Sequence, residues 1–144
     1  MDTISKEARS RNMSRVRSRD TEPEKRIRSL LHGLGFRFRL CDRSLPGTPD
    51  VVLRKYGTVI FVNGCFWHRH KGCSRATMPE TRREFWEAKF ARNIARDVRN
   101  RKELRRLGWR VIVIWECRVK EILAHPERLE RAVAGSPRRR FIEL

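Results

Sequence analysis

A cysteine- and histidine-rich stretch in the middle of the chain has the composition of a transition-metal site. Residues 64–73 read GCFWHRHKGC, which places Cys65, His70 and Cys73 within nine residues. Thiolate and imidazole ligands at this spacing are typical of tetrahedral Zn²⁺. Buried cysteines also serve as small apolar side chains, but a combined His and Cys cluster favours metal binding. The stretch therefore predicts a zinc loop over residues 65–73 that lacks one ligand.

The fourth zinc ligand must come from outside these three residues. Cys117 directly follows a predicted strand, and if that strand lies beside the one ending at Val62, Cys117 comes next to Cys65. Cys41, which follows a different predicted strand, is the alternative. His68 is a further alternative, and it is equally suited to act as a general base close to the zinc loop. The residue types alone leave these assignments open.

Two carboxylates outside this loop have the chemistry to bind a hard cation or a water molecule. Asp50 follows the Pro-Gly-Thr-Pro turn of residues 46–49, where its oxygens can bind Mg²⁺. An aspartate after such a turn also occurs for purely local reasons. Glu24 is the third residue of a capping box that begins at Thr21, which gives it a structural alternative as well.

One face of a long predicted helix carries polar groups beside an aromatic ring. Helical periodicity extends from about Thr81 to Leu107 and stops at Gly108. Positions i, i+3, i+7 and i+11 share a helix face, and here they hold Trp86, Lys89, Asn93 and Asp97. The residues expected to supply the core side of this helix are Phe85, Ala88, Ile94 and Val98. A solvated helix face with one stray aromatic is the structural alternative.

Hydrophobic periodicity and turn residues predict the elements that position these side chains. The predicted order is helix, three strands, helix, strand and a weaker final helix, over residues 21–33, 36–40, 50–53, 58–62, 81–107, 110–115 and from 126 onward. The β-branched run 110–115 suits a buried strand. The order α-β-β-β-α-β predicts an α/β fold with a mixed central sheet.

The charge of the chain indicates a class of partner. The 144 residues include 35 Lys and Arg against 17 Asp and Glu, a net charge of +18, and such a field attracts nucleic acid. The longest apolar run, residues 111–115, is far shorter than the ~20 residues of a membrane span, and the N-terminus lacks the pattern of a secretory signal. We expect a cytoplasmic protein with reduced cysteines and no membrane contact.

Size and composition indicate one folded domain with basic ends. Residues 1–20 are rich in Lys and Arg and poor in apolar anchors, which predicts a DNA-binding arm that orders only on its partner. Residues 21–135 contain the predicted elements and the zinc loop. Residues 136–144 begin with Ser-Pro-Arg-Arg-Arg and predict a basic C-terminal tail.

Six segments, collinear along the chain, carry a resemblance to a known family. They are RSxNM at 9–13, RDTxxE at 19–24, SLPGTPD at 44–50, GCFWH at 64–68, TRREFW at 81–86 and LGWRVIVIWEC at 107–117. With these segments the sequence resembles the very short patch repair endonucleases, the Vsr family. The resemblance implies a restriction endonuclease-like core with a structural zinc. It also implies a Mg²⁺-dependent enzyme that nicks DNA 5′ of the thymine in T·G mismatches left by deamination of 5-methylcytosine.

The same resemblance implies roles for individual residues. Asp50 and the Val62 carbonyl match the Mg²⁺ ligands, His68 matches the general base, and Glu24 and Asp97 match positions that hold metal-bound water. The residues that match the zinc ligands are Cys65, His70, Cys73 and Cys117. The residues assigned to DNA contact, including aromatic wedges and a methionine of the arm, are Met13, Phe66, Trp67, Trp86, Lys89 and Asn93.

The chain departs from familiar members of the family at two places near the site. Asn63 stands where they carry His, and an amide orients a water or phosphate but does not accept its proton. The HRHKGC run also makes the zinc loop one residue longer. In addition, the third predicted strand has no Glu-x-Lys motif, which argues against an ordinary restriction enzyme.

The resemblance implies a monomer of the bacterial cytoplasm that acts on double-stranded DNA containing a T·G mismatch, with other repair proteins as further partners. Two alternatives remain at this point. One is a zinc-stabilised DNA-binding protein without catalysis, and the other is a nuclease of the same core that acts on other DNA structures. Nicking assays with and without Mg²⁺, on mismatched and paired duplexes, distinguish the three.

Overall fold

A computed structural model describes residues 20–135 and 138–144, which form a five-stranded mixed sheet with helices packed against it. The strands lie side by side in chain order: β1 Arg39–Leu40, β2 Val51–Leu53, β3 Thr58–Asn63, β4 Arg110–Trp115 and β5 Phe141–Glu143. The helices are α1 Glu22–Gly33, α2 Arg83–Arg106, α3 Val119–Ala124 and α4 Glu127–Ala134. The predicted α/β class with a mixed sheet is confirmed. No helix in the described ranges is long and apolar enough to span a membrane.

Local signals fix the start of α1 and the face that it buries. The Thr21 Oγ1 accepts a hydrogen bond from the Glu24 N–H at 3.4 Å, so the predicted N-cap is confirmed. Ile27 and Leu31 lie one turn apart on α1, and both are fully buried in the apolar core. The helix ends at Gly33 as predicted. The first turn of α1 also contains the buried Glu24, which lines the site described below.

The central strands β3 and β4 are buried over almost their whole length, as expected for parallel strands covered on both faces. They pair in parallel, with Thr58 opposite Arg110 and Asn63 opposite Trp115. Alternate residues of β4 pack in two apolar clusters, one with α1 and α4 and the other with the C-terminal part of α2. The predicted strands over 50–53, 58–62 and 110–115 are confirmed to within one residue.

The orientation of α2 differs from the prediction. The residues expected to face the core are all exposed: Phe85, Ala88, Ile94 and Val98. Phe90 and Leu104 are the buried residues of α2. The face that carries Asn93 and Asp97 is turned toward the loop of residues 64–73 and hydrogen-bonds to it. Polar contacts with this loop, rather than the apolar stripe, therefore decide which way the helix faces.

Three segments fold differently from their predicted form. The stretch 36–40 is a strand only at Arg39–Leu40, because the Phe36 N–H still caps α1 by donating to the Leu31 carbonyl. The helix α3 has no counterpart in the prediction. The expected basic tail, residues 136–144, contains β5, which pairs in parallel with β4 and buries Ile142. Its short apolar pattern becomes a strand because the open edge of β4 supplies hydrogen-bond partners.

A buried arginine joins the sheet to the last helix. Arg110, at the start of β4, is 7% exposed. Its guanidinium donates to the carbonyls of Val133 and Ala132 at 2.9 and 2.7 Å and to the Thr58 Oγ1 at 3.2 Å. These carbonyls lie in the last turn of α4, where a cation is favoured and no helical partner remains.

We predict that Arg110→Met lowers the free energy of unfolding by about 2–4 kcal/mol, because it leaves buried carbonyls without donors. Urea or thermal unfolding of the two proteins measures this difference. The control is Arg105→Met at an exposed position of α2, which should change stability by less than about 0.5 kcal/mol. Equal stabilities for Arg110→Met and the unmodified protein would contradict this account of how α4 is held.

Candidate active site and metal centre

The Asp50 carboxylate lies at the edge of the sheet, against the end of β3. The Val62 N–H donates to the Asp50 Oδ2 at 2.7 Å, and the Asp50 carbonyl accepts from the Cys41 N–H. Burial raises the pKa of Asp50 to about 7, although the hydrogen bond from Val62 acts in the opposite direction. A cation at this carboxylate would stabilise its charged form.

A cavity of about 560 Å³ opens over this carboxylate and collects most of the residues predicted to be catalytic. They are Glu24, Asp50, Val62, Asn63 and His68. The Glu24 side chain is 4% exposed, and its Oε2 accepts from the Asp20 N–H at 2.8 Å and from Arg28 at 3.1 Å. The charge of Glu24 also contributes to the raised pKa of Asp50. Glu24 therefore has both the capping position and a place in the cavity wall.

A histidine and an aspartate from separate elements meet at this cavity. The His68 Nδ1 lies 2.7 Å from the Asp97 Oδ2, which joins the loop after β3 to the middle of α2. Because a carboxylate is a hydrogen-bond acceptor, this contact favours the tautomer with a proton on Nδ1. The Nε2 atom of His68 then carries a free lone pair. This arrangement is that of a general base held by an orienting carboxylate.

The predicted transition-metal ligands form a compact cluster beside the cavity. The ligand atoms of four residues all lie within 4.8 Å of one another: Cys65, His70, Cys73 and Cys117. Asn63 and Trp115 are opposite each other in the β3–β4 pair, so Cys65 and Cys117, two residues farther along each strand, emerge side by side. The predicted role of strand pairing in bringing Cys117 to the loop is therefore confirmed as geometry. Cys41 and His68 lie outside this cluster within the described residues.

The surroundings of the cluster suit a bound cation. His70 stacks on Trp115 with ring centroids 4.2 Å apart, and burial lowers the pKa of His70, which favours the neutral form that binds metals. Burial raises the pKa of the Cys65 thiol to about 12, so its thiolate requires a nearby positive charge. The backbone N–H of Arg75 lowers the pKa of Cys73. Three cysteine sulfurs and one imidazole match the donors that Zn²⁺ prefers.

Three predicted DNA-contacting aromatics pack together at the surface between the loop and α2. The Phe66 ring lies 5.1 Å from Trp67 and 5.9 Å from Trp86, and the two tryptophan rings are 5.9 Å apart. The Lys89 Nζ lies 5.3 Å from the Trp67 ring, and the Asn93 Nδ2 donates to the Trp67 carbonyl at 3.2 Å. The helix-face pattern is thus confirmed as one surface that continues to Asp97. Met13, the remaining predicted contact, lies outside the described residues.

One residue that organises this surface has no signal in the sequence. The guanidinium of Arg69 lies 4.0 Å from the centroid of the Phe90 ring and donates to the carbonyls of Phe66, Ala76 and Thr77. Arg69 thereby connects the start of the zinc loop with the segment that follows the loop and with α2. It is one of 35 basic residues, and only the folded contacts distinguish it from the others.

The chain is similar to DNA-cleaving proteins over most of its length. The family model described as DNA mismatch endonuclease Vsr matches residues 1–75. The DNA mismatch endonuclease Vsr of Escherichia coli (strain K12) is 48% identical over 139 residues, which cover 93% of this chain and 88% of that protein. The type II nicking enzyme V.XorIIP of Xanthomonas oryzae pv. oryzae is 47% identical over 135 residues, covering 94% and 98%. The type II nicking enzyme V.NmeAIP of Neisseria meningitidis is 41% identical over 132 residues, covering 92% and 94%.

The similarity extends across the parts of the chain that build the site. The family model covers α1, the zinc loop, Asp50 and the strand that carries Val62, and the three relatives cover at least 92% of the chain. A catalytically inactive DNA-binding protein is therefore set aside as an alternative. This chain belongs to the DNA mismatch endonuclease Vsr family, and it is a DNA endonuclease with a restriction endonuclease-like fold.

Proposed function

We propose that the protein is a Mg²⁺-dependent endonuclease that nicks DNA on the 5′ side of the thymine in T·G mismatches. Such mismatches arise by deamination of 5-methylcytosine, and the nick initiates very short patch repair. The names of the relatives, a mismatch endonuclease and nicking enzymes, support this proposal. The observation that carries it is that His68, whose Nδ1 lies 2.7 Å from the Asp97 Oδ2, lines the same cavity as the buried Asp50 carboxylate.

The donors around Asp50 fit a hard cation. The Val62 N–H occupies one lone pair of the Asp50 Oδ2, which leaves the other carboxylate lone pairs and the Val62 carbonyl as oxygen ligands for Mg²⁺. When bound, Mg²⁺ would stabilise the charge that develops on the scissile phosphate. The raised pKa of Asp50 is consistent with a carboxylate that binds a cation.

The side chains of the cavity divide the remaining work between proton transfer and orientation. The His68 Nε2 takes a proton from the attacking water, and Asp97 holds the ring and stabilises its positive charge. Glu24 and Asn63 border the same cavity, where the carboxylate and the amide orient water. Because Asn63 does not accept the proton of that water, His68 is the base in this mechanism.

The aromatic surface supplies the recognition of the mismatch in this proposal. Phe66, Trp67 and Trp86 form a packed wedge beside the cavity, and insertion of such a wedge between base pairs costs least at a mismatch. Lys89 and Asn93, on the same helix face, are placed to donate to base edges or phosphates. Met13 of the N-terminal arm is proposed to enter from the opposite groove.

The Cys and His cluster is proposed to hold a structural Zn²⁺. Four protein ligands fill a tetrahedral shell and leave no position for substrate. The cluster lies at the base of the loop that carries Phe66, Trp67 and the proposed base, His68, so metal binding would fix the positions of all three. In this proposal zinc acts on catalysis only through the position of the loop.

Removal of one proposed zinc ligand should destabilise the protein. We predict that the unmodified chain contains about one zinc, and that Cys117→Ala loses it, because three ligands hold the metal weakly. Metal analysis and thermal unfolding measure both effects. The matched control is Cys41→Ala, which should retain zinc because Cys41 lines the cavity that contains Asp50 and lies outside the Cys and His cluster. Zinc loss in Cys41→Ala but not in Cys117→Ala would show that the fourth ligand is wrongly assigned.

Substitutions at the proposed metal ligand and base should separate binding from chemistry. We predict that Asp50→Ala abolishes nicking yet still binds mismatched DNA, because it removes the cation anchor and also a negative charge. His68→Ala should lower the single-turnover nicking rate by roughly 10²–10⁴ with zinc content unchanged, as expected for loss of a general base. Mismatched duplexes assayed with Mg²⁺ and with EDTA provide the measurement. Loss of zinc from His68→Ala would contradict its assignment as the base.

The wedge should determine discrimination rather than overall DNA affinity. We predict that Trp67→Ala and Trp86→Ala each reduce discrimination between T·G and paired duplexes by roughly 1–3 kcal/mol, the scale of one lost base–aromatic stack. Competition binding with the two duplexes measures this difference. Ile94→Ala, at an exposed apolar position of the same helix, is the control and should leave discrimination unchanged. An equal loss of affinity for both duplexes would exclude the aromatics as the mismatch sensor.

A further inference from the structure

A second cavity, of about 510 Å³, adjoins the one that contains Asp50. Both are lined by Asn63, His68 and Arg96, and the turn at residues 47–48 lies between them. The second cavity extends along α2 over residues 96–101, beyond Asp97. The His68–Asp97 pair of the proposed mechanism lies in the wall of this cavity, whereas the part over residues 99–101 has no role in that mechanism.

The wall of this second cavity is basic. Arg96, Arg99 and Arg101 line it together with the amide of Asn100. The one lining carboxylate, Asp97, already accepts a hydrogen bond from His68. The guanidinium of Arg101 lies 5.3 Å from the Phe141 ring, whereas Arg96 and Arg99 form no ion pair with any described residue. Two unneutralised guanidinium groups in a concave surface favour an anion such as a phosphate.

The turn between the cavities has a constrained backbone. Gly47 and Thr48 have φ angles of +77° and +47°, and a β-branched residue seldom adopts the second. A Cβ atom on Gly47 would lie 3.0 Å from the Asn100 Nδ2, so this turn lies directly against α2. Backbone strain of this kind is often found at functional sites. Thr48 lines both cavities.

The order of features along α2 relates this cavity to the DNA. The axis rises about 1.5 Å per residue, so Trp86 lies about 16 Å before Asp97 and Arg99 about 3 Å beyond it. The cleavage site, marked by His68 and Asp97 at one end of the second cavity, thus lies between the aromatic wedge and the basic end of that cavity at residues 99–101. In the proposed reaction the mismatched thymine is on the 3′ side of the scissile phosphate. If the cleaved DNA strand runs along the axis of α2, its continuation on the 5′ side of the scissile phosphate therefore lies over the second cavity.

We propose that the second cavity binds the first backbone phosphate on the 5′ side of the scissile phosphate. Arg96 and Arg99 supply the cationic donors, and Thr48 and Asn100 supply neutral ones. This assignment rests on the proposed function, because the position of the nick relative to the thymine defines the direction of the strand. Contact with this neighbouring phosphate fixes the scissile phosphate in line with His68 and Asp50.

The test replaces single phosphates of a T·G duplex by uncharged methylphosphonates. Each modified duplex is compared with the unmodified one in binding without divalent cation and in single-turnover nicking with Mg²⁺. We expect a methylphosphonate at the first 5′ phosphate to weaken binding by the wild-type protein roughly tenfold or more, the effect of one lost charge-assisted hydrogen bond. In Arg99→Ala the same modification should have little further effect. Arg105→Ala, an exposed arginine of α2 that lines neither cavity, is the control and should retain the full effect.

The outcomes separate this inference from the proposed function. An undiminished methylphosphonate effect in Arg99→Ala would overturn the assignment, and so would coupling of Arg99 to a phosphate on the 3′ side. Absence of T·G nicking on the unmodified duplex would instead overturn the proposed function. The coupling of Arg99 to one phosphate is measured by DNA binding alone, so the result does not depend on whether the protein nicks the T·G duplex.

Discussion

The parallel, in-register pairing of β3 with β4 is the interaction on which the rest of the site depends. It sets Asn63 opposite Trp115, and so the two chains leave the sheet with Cys65 beside Cys117. The tetrahedral metal shell proposed for these ligands would hold the loop of residues 64–73 in one shape. The same loop carries the proposed base and two of the three wedge aromatics, while β3 itself contacts the Asp50 carboxylate through a backbone N–H. One strand pair thus positions two chemically different centres.

The electrostatics of the molecule operate at two scales. The net charge of +18 attracts DNA to the whole surface, and this attraction carries no information about sequence or mismatch. In the cavity that contains Asp50 the charge is locally different, because the carboxylates of Glu24 and Asp50 both line it, and burial together with the charge of Glu24 disfavours ionisation of Asp50. Such an acidic centre in a basic protein would favour a divalent cation, as in the mechanism proposed above. Arg96 lines both cavities, so its positive charge lies beside both the acidic centre and the basic second cavity.

Helical spacing and strand composition predicted the main helices and strands. The predictions were less accurate where tertiary contacts override these local patterns. The period of α2 correctly placed Trp86, Lys89, Asn93 and Asp97 on one face, since helix geometry depends only on spacing. The prediction of which α2 face turns inward was wrong. The hydrogen bonds of α2 to the zinc loop outweigh its apolar stripe, which remains exposed in the described fold. The β5 strand was also missed, because three residues become a strand only when another edge is free to pair with them.

The sequence by itself determined the chemical inventory: a zinc-type ligand set, an aspartate after a turn, a histidine in the loop and a strongly basic surface. It determined these because residue type and short spacing fix what a side chain can bind. The tertiary structure alone decided which of these groups meet. The choice of Cys117 over Cys41, the contact of His68 with Asp97 and the burial that raises the pKa of Asp50 all join residues far apart in the chain. Distances and desolvation of that kind arise only when the sheet and helices have packed, so spacing along the sequence does not contain them.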